Sequence, residues 1–316
     1  MVRDDRRGRL VVGALAVVVA VLVGLTVLSP GADDPPGCFG TTRLGVYEWR
    51  DEWRSAAYPE MLDRLADACV DRVYVDITGA AVTDEAGATQ LGADLETLAA
   101  AAATRDIEVG AVAGDPWWPS VPDNPEVARL LGFAAALQAP AGPLVAVHLD
   151  VEPWGLDEWA TSRAPLTNGY LEYVAFVEGQ RSAVGLTVPV AHLVPYWFDG
   201  TTDAAEMVSV SGLSAYPLTH LVEAVDAHTG LVVMAYRNQA RGPGGIGSLA
   251  AEELALHRAV TIGVEAGPVD PASATFHGQG WATFVAEVEL VVDDTGVDEV
   301  VVNDAQSLLV LRHSTG

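Results

Sequence analysis

From residue 44 onward, apolar and polar positions alternate between two rhythms. Short runs rich in β-branched residues end in polar tips, and Ala/Leu-rich stretches with helical spacing follow them. The runs are LGVYEW (44–49), RVYVDIT (72–78), IEVGAVAG (107–114), LVAVHLDVE (144–152), LTVPVAHLVPYW (186–197), LVVMAYRN (231–238), VTIGVEAG (260–267) and EVVVND (299–304). Between them lie helical patterns such as YPEMLDRLADAC, PEVARLLGFAAALQ and GWATFVAEVELVVDD. Strands that alternate with helices of this length predict βαβ units and a parallel sheet. Eight strands in about 260 residues predict a (β/α)8 TIM barrel, whose usual size is about 250 residues. The competing architecture, an open doubly wound sheet, normally carries a Gly-rich phosphate turn after its first strand. Here that strand runs into RDEW instead. EMVSVSGLSAYP (206–217) would make a ninth strand, and it is read as part of a long loop after strand five.

The first 28 residues break the rhythm. MVRDDRRGR (1–9) is basic, and LVVGALAVVVAVLVGLTVL (10–28) carries no charge. A helix of that length just spans the hydrocarbon core of a bilayer. No clear A-x-A cleavage site follows it. The expectation is a transmembrane signal anchor, with a cleaved secretory signal as the alternative. The Arg cluster stays cytoplasmic in both readings, so the remainder is expected outside, either anchored at the cell membrane as a single-pass protein or secreted. The expected organisation is a basic tail (1–9), a membrane or signal segment (10–28), a linker (29–39) and a barrel domain (40–316). Export permits a disulfide between the two cysteines, Cys38 and Cys69, with two free buried thiols as the alternative.

Composition narrows the partners. Hydrophobic residues make up 50% of the chain, enough for a sizeable core, and the net charge is -26. The basic residues are all Arg. An acid excess of this size argues against nucleic acid as a partner, because binding phosphates needs clustered cations. There is no zinc spacing, no G-x-S-x-G elbow and no P-loop, so no metal or cofactor is expected.

Active sites of such barrels form at the C-terminal ends of the strands, and polar and aromatic residues gather there. Strand one ends in Tyr47 and Trp49, strand two in Asp76, and strand three in Asp115, Trp117 and Trp118. Strand four ends in Asp150, Glu152 and Trp154, and strand five in His192 and Trp197. Strand six ends in Tyr236, Arg237 and Asn238, strand seven in Glu265, and strand eight in Asn303 and Asp304. Side chains two apart on a strand share a face. Val145, Val147, Leu149 and Val151 should therefore face helices, while His148, Asp150 and Glu152 face the barrel interior. Glu265 faces inward by the same reasoning, as do Met234, Tyr236 and Asn238 if Val233 and Ala235 pack outward.

Two carboxylates across a cleft are the machinery of glycoside hydrolysis. In this reading Glu152 is the acid/base and Glu265 the nucleophile or second carboxylate. Asp150 raises the pKa of Glu152 by like-charge repulsion, and Tyr236 is the positioning hydroxyl. The rim tryptophans suit the flat faces of sugars, so the expected partner is a polysaccharide or oligosaccharide.

A Glu on strand four and a Glu on strand seven resemble the large retaining glycosidase clan of (β/α)8 barrels. Leu149-Asp150-Val151-Glu152 and Met234-Ala235-Tyr236 resemble the D-x-E and M-x-Y-D motifs of family-18 chitinases. That resemblance implies Glu152 as general acid and a substrate N-acetyl group as nucleophile, assisted by Tyr236 and Asp150. The longer chitinase motif would place acids where this chain has Val145 and His148, and an Asp where it has Arg237. HLDVEPW, VMAYRN and TIGVEAG in this order also resemble uncharacterised bacterial glycosidase-like barrels over most of residues 40–312. A non-catalytic barrel that binds glycan or a partner at the cell surface is the rival expectation, and a hydrolase of another bond, such as a cell-wall amide, is the third.

Overall fold

The structure is a computed structural model that describes residues 39–138, 142–202, 206–226, 229–257 and 259–314. Its strands are β1 (Arg43–Glu48), β2 (Arg72–Asp76), β3 (Glu108–Ala113), β4 (Val147–Leu149), β5 (Val190–Pro195), β6 (Val208–Val210), β7 (Leu213–Ala215), β8 (Gly230–Met234), β9 (Val260–Glu265) and β10 (Glu299–Asn303). All but β6 and β7 pair in parallel in one closed ring, in the order β1-β10-β9-β8-β5-β4-β3-β2. The ring closes where β10 meets β1, with Arg43 opposite Glu299 and Val46 opposite Val302. Residues 206–217 stay out of the ring, as expected, but they are not featureless. β6 and β7 form a small antiparallel hairpin there.

Helices α1 (Tyr58–Asp67), α2 (Glu85–Ala103), α3 (Pro125–Ala136), α4 (Trp159–Val184), α5 (Pro217–Ala224), α6 (Ile246–Leu249), α7 (Ala251–Leu256), α8 (Trp281–Thr295) and α9 (Ala305–His313) alternate with the barrel strands. The pleat divides the apolar residues into two cores. Val46, Val73, Val75, Val147, Leu149, Val233, Ile262, Val264, Val300 and Val302 point outward and join the helices in the larger one. Tyr47, Tyr74, Val112, Ala146, Ala191, Leu193, Val232 and Val301 fill the barrel. Val145 departs from the expected alternation and packs on the interior cluster. It precedes β4, which starts only at Val147, so the strand's pleat does not govern it.

Charged groups close the N-terminal end of the barrel. Arg72 donates to Glu108 (2.5 Å) and Glu299 (3.0 Å), and the Tyr74 hydroxyl donates to Glu299 at 2.9 Å. Breaking such a buried set by removing one partner leaves an uncompensated charge. Gly110 makes room for the Tyr74 ring, since a β-carbon there would fall 2.4 Å from it. A cavity of about 500 Å³ opens at this end, lined by Arg72, Tyr74, His148 and Glu299 among others. Neither Asp150 nor Glu152 lines it, so it lies apart from the acids at the strands' C-terminal ends.

Glu253 on α7 is 0% exposed, and no side chain hydrogen-bonds either carboxylate oxygen. Burial pushes its pKa up to about 8. The folded state therefore keeps a proton that the unfolded chain releases in the ordinary carboxylate range. Stability falls as pH rises through that interval up to about 8. The denaturation midpoint is expected to be higher at pH 5 than at pH 8. Glu253→Gln should flatten this dependence and gain on the order of a few kcal/mol at pH 8. Urea unfolding of both proteins at the two pH values checks this, and parallel pH curves would refute it.

The chain divides into two units, Met1–Pro35 and Pro36–Gly316, and the second contains the barrel. The expected membrane segment (10–28) and Cys38 lie outside the described residues. Cys69 is disulfide-bonded. None of the described helices is long and apolar enough to cross a membrane.

Candidate active site

The end of β4 is held close to β3. Asp150 N donates to Ala113 O at 2.9 Å. The next residue on β3's side is Gly114, where a β-carbon would lie 1.7 Å from the Asp150 carbonyl oxygen. A side chain at Gly114 would prevent this approach. Below Asp150, His148 faces inward and stacks on Tyr74 with ring centres 3.9 Å apart. Its Nδ1 is 2.9 Å from the Tyr47 hydroxyl. Burial, with the positive charge of Arg72 adding to it, lowers the His148 pKa to about 3, so this imidazole is neutral.

The carboxyl groups of Asp150 and Glu152 lie close enough to perturb each other's titration. Burial raises both pKa values. The charge of Glu152 raises Asp150 further, whereas Asp150 offsets part of the rise in Glu152. Desolvation is the larger cause of the rise, and like charge within the pair adds to it, as expected of two neighbouring carboxylates. A pair with both values raised retains a proton between them at a pH where an exposed pair would have lost both. The Trp154 side chain, beside Glu152, offsets part of that rise.

Ala235 packs outward, so Tyr236 turns inward, as the alternation requires. Burial raises the Tyr236 pKa, and the charges of Asp150, Glu152 and Glu265 all push it the same way. Its hydroxyl thus lies within electrostatic reach of three carboxyl groups, one at the end of β9 and two after β4. Glu265 is clamped: its Oε1 accepts from Gly267 N at 2.5 Å and its Oε2 from Asn303 Nδ2 at 2.7 Å. Asn303 Oδ1 in turn accepts from Trp49 Nε1 at 2.8 Å, and Trp49 packs on Tyr47 at 5.5 Å. Burial still outweighs the hydrogen bonds and raises the Glu265 pKa.

The barrel therefore carries buried acids and a tyrosine at the C-terminal end of its strands. The fold is shared with proteins of known structure. A GH18 chitinase from Pseudoalteromonas aurantia matches with a TM-score of 0.54 at 11% identity, covering 83% of this chain and 94% of the chitinase. A D-psicose 3-epimerase from Clostridium cellulolyticum H10 matches with a TM-score of 0.50 at 14% identity, covering 86% and 90%. An exo-β-1,4-mannosidase from Opitutaceae bacterium strain TAV5 gives 0.51 at 13% identity, covering 86% of this chain and 54% of that one. Similarity at these identities is one of fold. No family model and no curated protein matches the chain.

The structure brings Tyr47, Trp49, Asp150, Glu152, Tyr236, Glu265 and Asn303 together and gives other expected site residues different work. Asp76 accepts from Thr78 N and Asp115 from Trp117 N, both at 2.8 Å. Asp304 caps α9 by accepting from Ser307 N at 2.8 Å. These three acids set the turns that follow their strands. His192 points outward, 0% exposed, beside Tyr173 and 3.9 Å from Glu178 of α4. Trp118 is buried and donates to Glu126 at 3.1 Å. Trp154 and Trp197 pack with Trp159 and Phe198 in an aromatic cluster, which commits their faces to one another. Trp117 is 51% exposed on the rim. The Asn238 amide is used by the carbonyls of Ala272 and Thr275. Sequence reasoning missed the polar role of Trp154, whose proximity to Glu152, two residues away, was the available signal. It also missed Gly114, marked only as a glycine ending a strand.

Proposed function

We propose that this chain is an extracytoplasmic, membrane-anchored glycoside hydrolase acting on a cell-wall or extracellular polysaccharide. The observation that carries the reading is the buried Asp150–Glu152 pair, its pKa values raised by desolvation, at the end of a TIM barrel where active sites form, with Tyr236 within its electrostatic reach. A glycosidic oxygen leaves only when it is protonated, and a buried carboxylic acid that holds its proton above the ordinary carboxylate range supplies it. Glu152 is that acid, and Asp150 shares the proton with it. Glu265, fixed by Gly267 and Asn303, is the second carboxylate, acting as nucleophile or as base toward water. Tyr236 orients the reacting sugar. Two of the three similar structures named above are a chitinase and a mannosidase, which agrees with this class. The apolar run at 10–28 supports the anchor, since it is long enough to span a bilayer and is preceded by Arg.

The second reading is a barrel that binds glycan or a partner without cleaving it. It is favoured by Val145 and His148, which stand where family-18 chitinases have acids. One experiment separates the two. The purified full-length chain is incubated with a panel of cell-wall and extracellular polysaccharides, with Glu152→Gln in parallel, and new reducing ends are counted. Release by the parent and none by the variant supports hydrolysis. Binding of a polysaccharide without release by either protein supports the second reading and ends the first.

A further inference from the structure

Arg237 follows Tyr236 at the C-terminal end of β8 and is half-buried. One terminal nitrogen donates to the Tyr236 carbonyl at 2.6 Å, and the other donates to the Tyr196 hydroxyl at 3.3 Å. The guanidinium lies over the Tyr196 ring, 5.2 Å from its centre. Tyr196 opens the turn after β5, and β5 is the barrel neighbour of β8. Arg237 thus bridges two adjacent strand ends on the rim that carries Asp150, Glu152 and Glu265.

What Arg237 lacks is an acid. Among the described residues no Asp or Glu oxygen forms an ion pair with it. Arg72 and Arg181 are each held between two carboxylates and Arg105 pairs with Asp63, whereas Arg163 on α4 is half-buried and likewise without an ion pair. What sets Arg237 apart is its place: it lies on the rim at the C-terminal ends of the barrel strands, in a chain of net charge -26. Two of its five N–H groups account for the two hydrogen bonds, which leaves donors free. The tyrosine ring fixes the plane of the guanidinium, and a planar fork of donors matches a carboxylate in shape and charge.

We propose that Arg237 binds the carboxylate of an acidic sugar, so that the substrate is a polysaccharide carrying carboxylated residues, with the acidic unit seated at the β5–β8 rim. The cleavage of such a chain rests on the glycoside hydrolase reading; its recognition does not. The carboxylate has two chemical sources, a uronic acid or a lactyl ether on an amino sugar.

The test uses full-length protein carrying Glu152→Gln, so that nothing is turned over. Calorimetry compares a glucuronate-containing oligosaccharide with its carboxyl-reduced counterpart, and a muramic-acid-containing disaccharide with the matching disaccharide of N-acetylglucosamine alone. The acidic member of one pair is expected to bind about tenfold more tightly than its neutral match, less so at high salt. The pair that shows the preference identifies the source. Arg237→Gln should lower the acid-to-neutral affinity ratio about tenfold, and Arg237→Lys should restore part of it. A melting curve for each variant shows that it is folded. Equal weakening of both members, or no preference in either pair, overturns the proposal. An acidic preference in a parent protein that hydrolyses nothing leaves this inference standing and removes the hydrolase reading. Hydrolysis of neutral glycans with no acidic preference does the reverse.

Discussion

Glu152→Gln is expected to reduce kcat by about 10²–10⁴-fold, the usual contribution of a positioned proton donor. The amide has the size of the acid it replaces. It remains a polar group able to donate to the Asp150 carboxylate beside it. What is lost is the transferable proton. The unfolding midpoint should therefore change by less than about 1 kcal/mol while turnover collapses. The pH profile carries a second expectation. Burial raises the pKa of both Asp150 and Glu152, so the parent needs the shared proton and keeps it above the ordinary carboxylate range. Activity should fall as pH rises through the raised value, and that descending limb should lie above the ordinary value for Glu. Rates measured from pH 3 to pH 9 on the most reactive polysaccharide decide this. A variant as fast as the parent would remove Glu152 from the chemistry.

Gly114→Ala should be the most damaging single methyl group in the site. The added carbon would fall 1.7 Å from the carbonyl oxygen of Asp150, and a backbone atom cannot rotate away. Either β4 retreats from β3 or the turn after β3 opens, and both displace Asp150 and Glu152. Overpacking of this kind costs about 3 kcal/mol, and the acid pair shifts with it. Gly132→Ala in α3 is the control, because nothing lies within 4 Å of its added carbon. There the change should be neutral or stabilising, by up to about 1 kcal/mol, through helix propensity. Denaturant midpoints for both variants, with turnover for Gly114→Ala, test the contrast. Equal stability of the two would mean that β3 and β4 are not packed as described.

The alternation of strands and helices was legible because each strand is a short β-branched run and each helix an Ala/Leu stretch. The inward line of His148 and Asp150 was legible for a related reason: one face of that strand is purely apolar. Strand five offered no such contrast. VPVAHLV is apolar on both faces, so its pleat phase depends on where pairing begins, and a start at Val190 turns His192 outward. The acids Asp76, Asp115 and Asp304 sit where catalytic acids sit, but each is followed within three residues by a backbone N–H that its carboxylate can reach. Turn-forming and substrate-binding acids look alike at this level. The clamp on Glu265 was beyond a sequence reading as well, because Asn303 lies 38 residues away and Trp49 lies 254 residues from Asn303.

That last pair spans the seam between β1 and β10. Trp49 comes from the first barrel strand to be synthesised and Asn303 from the last, and together they hold Glu265 in place. The hydrogen bonds that hold Glu265 are therefore completed only where the ring closes. If the proposed hydrolysis holds, a partly refolded polypeptide with β2 through β9 assembled is expected to stay inactive until its two edges join. Onset of turnover in a refolding experiment would then serve as a clock for that joining.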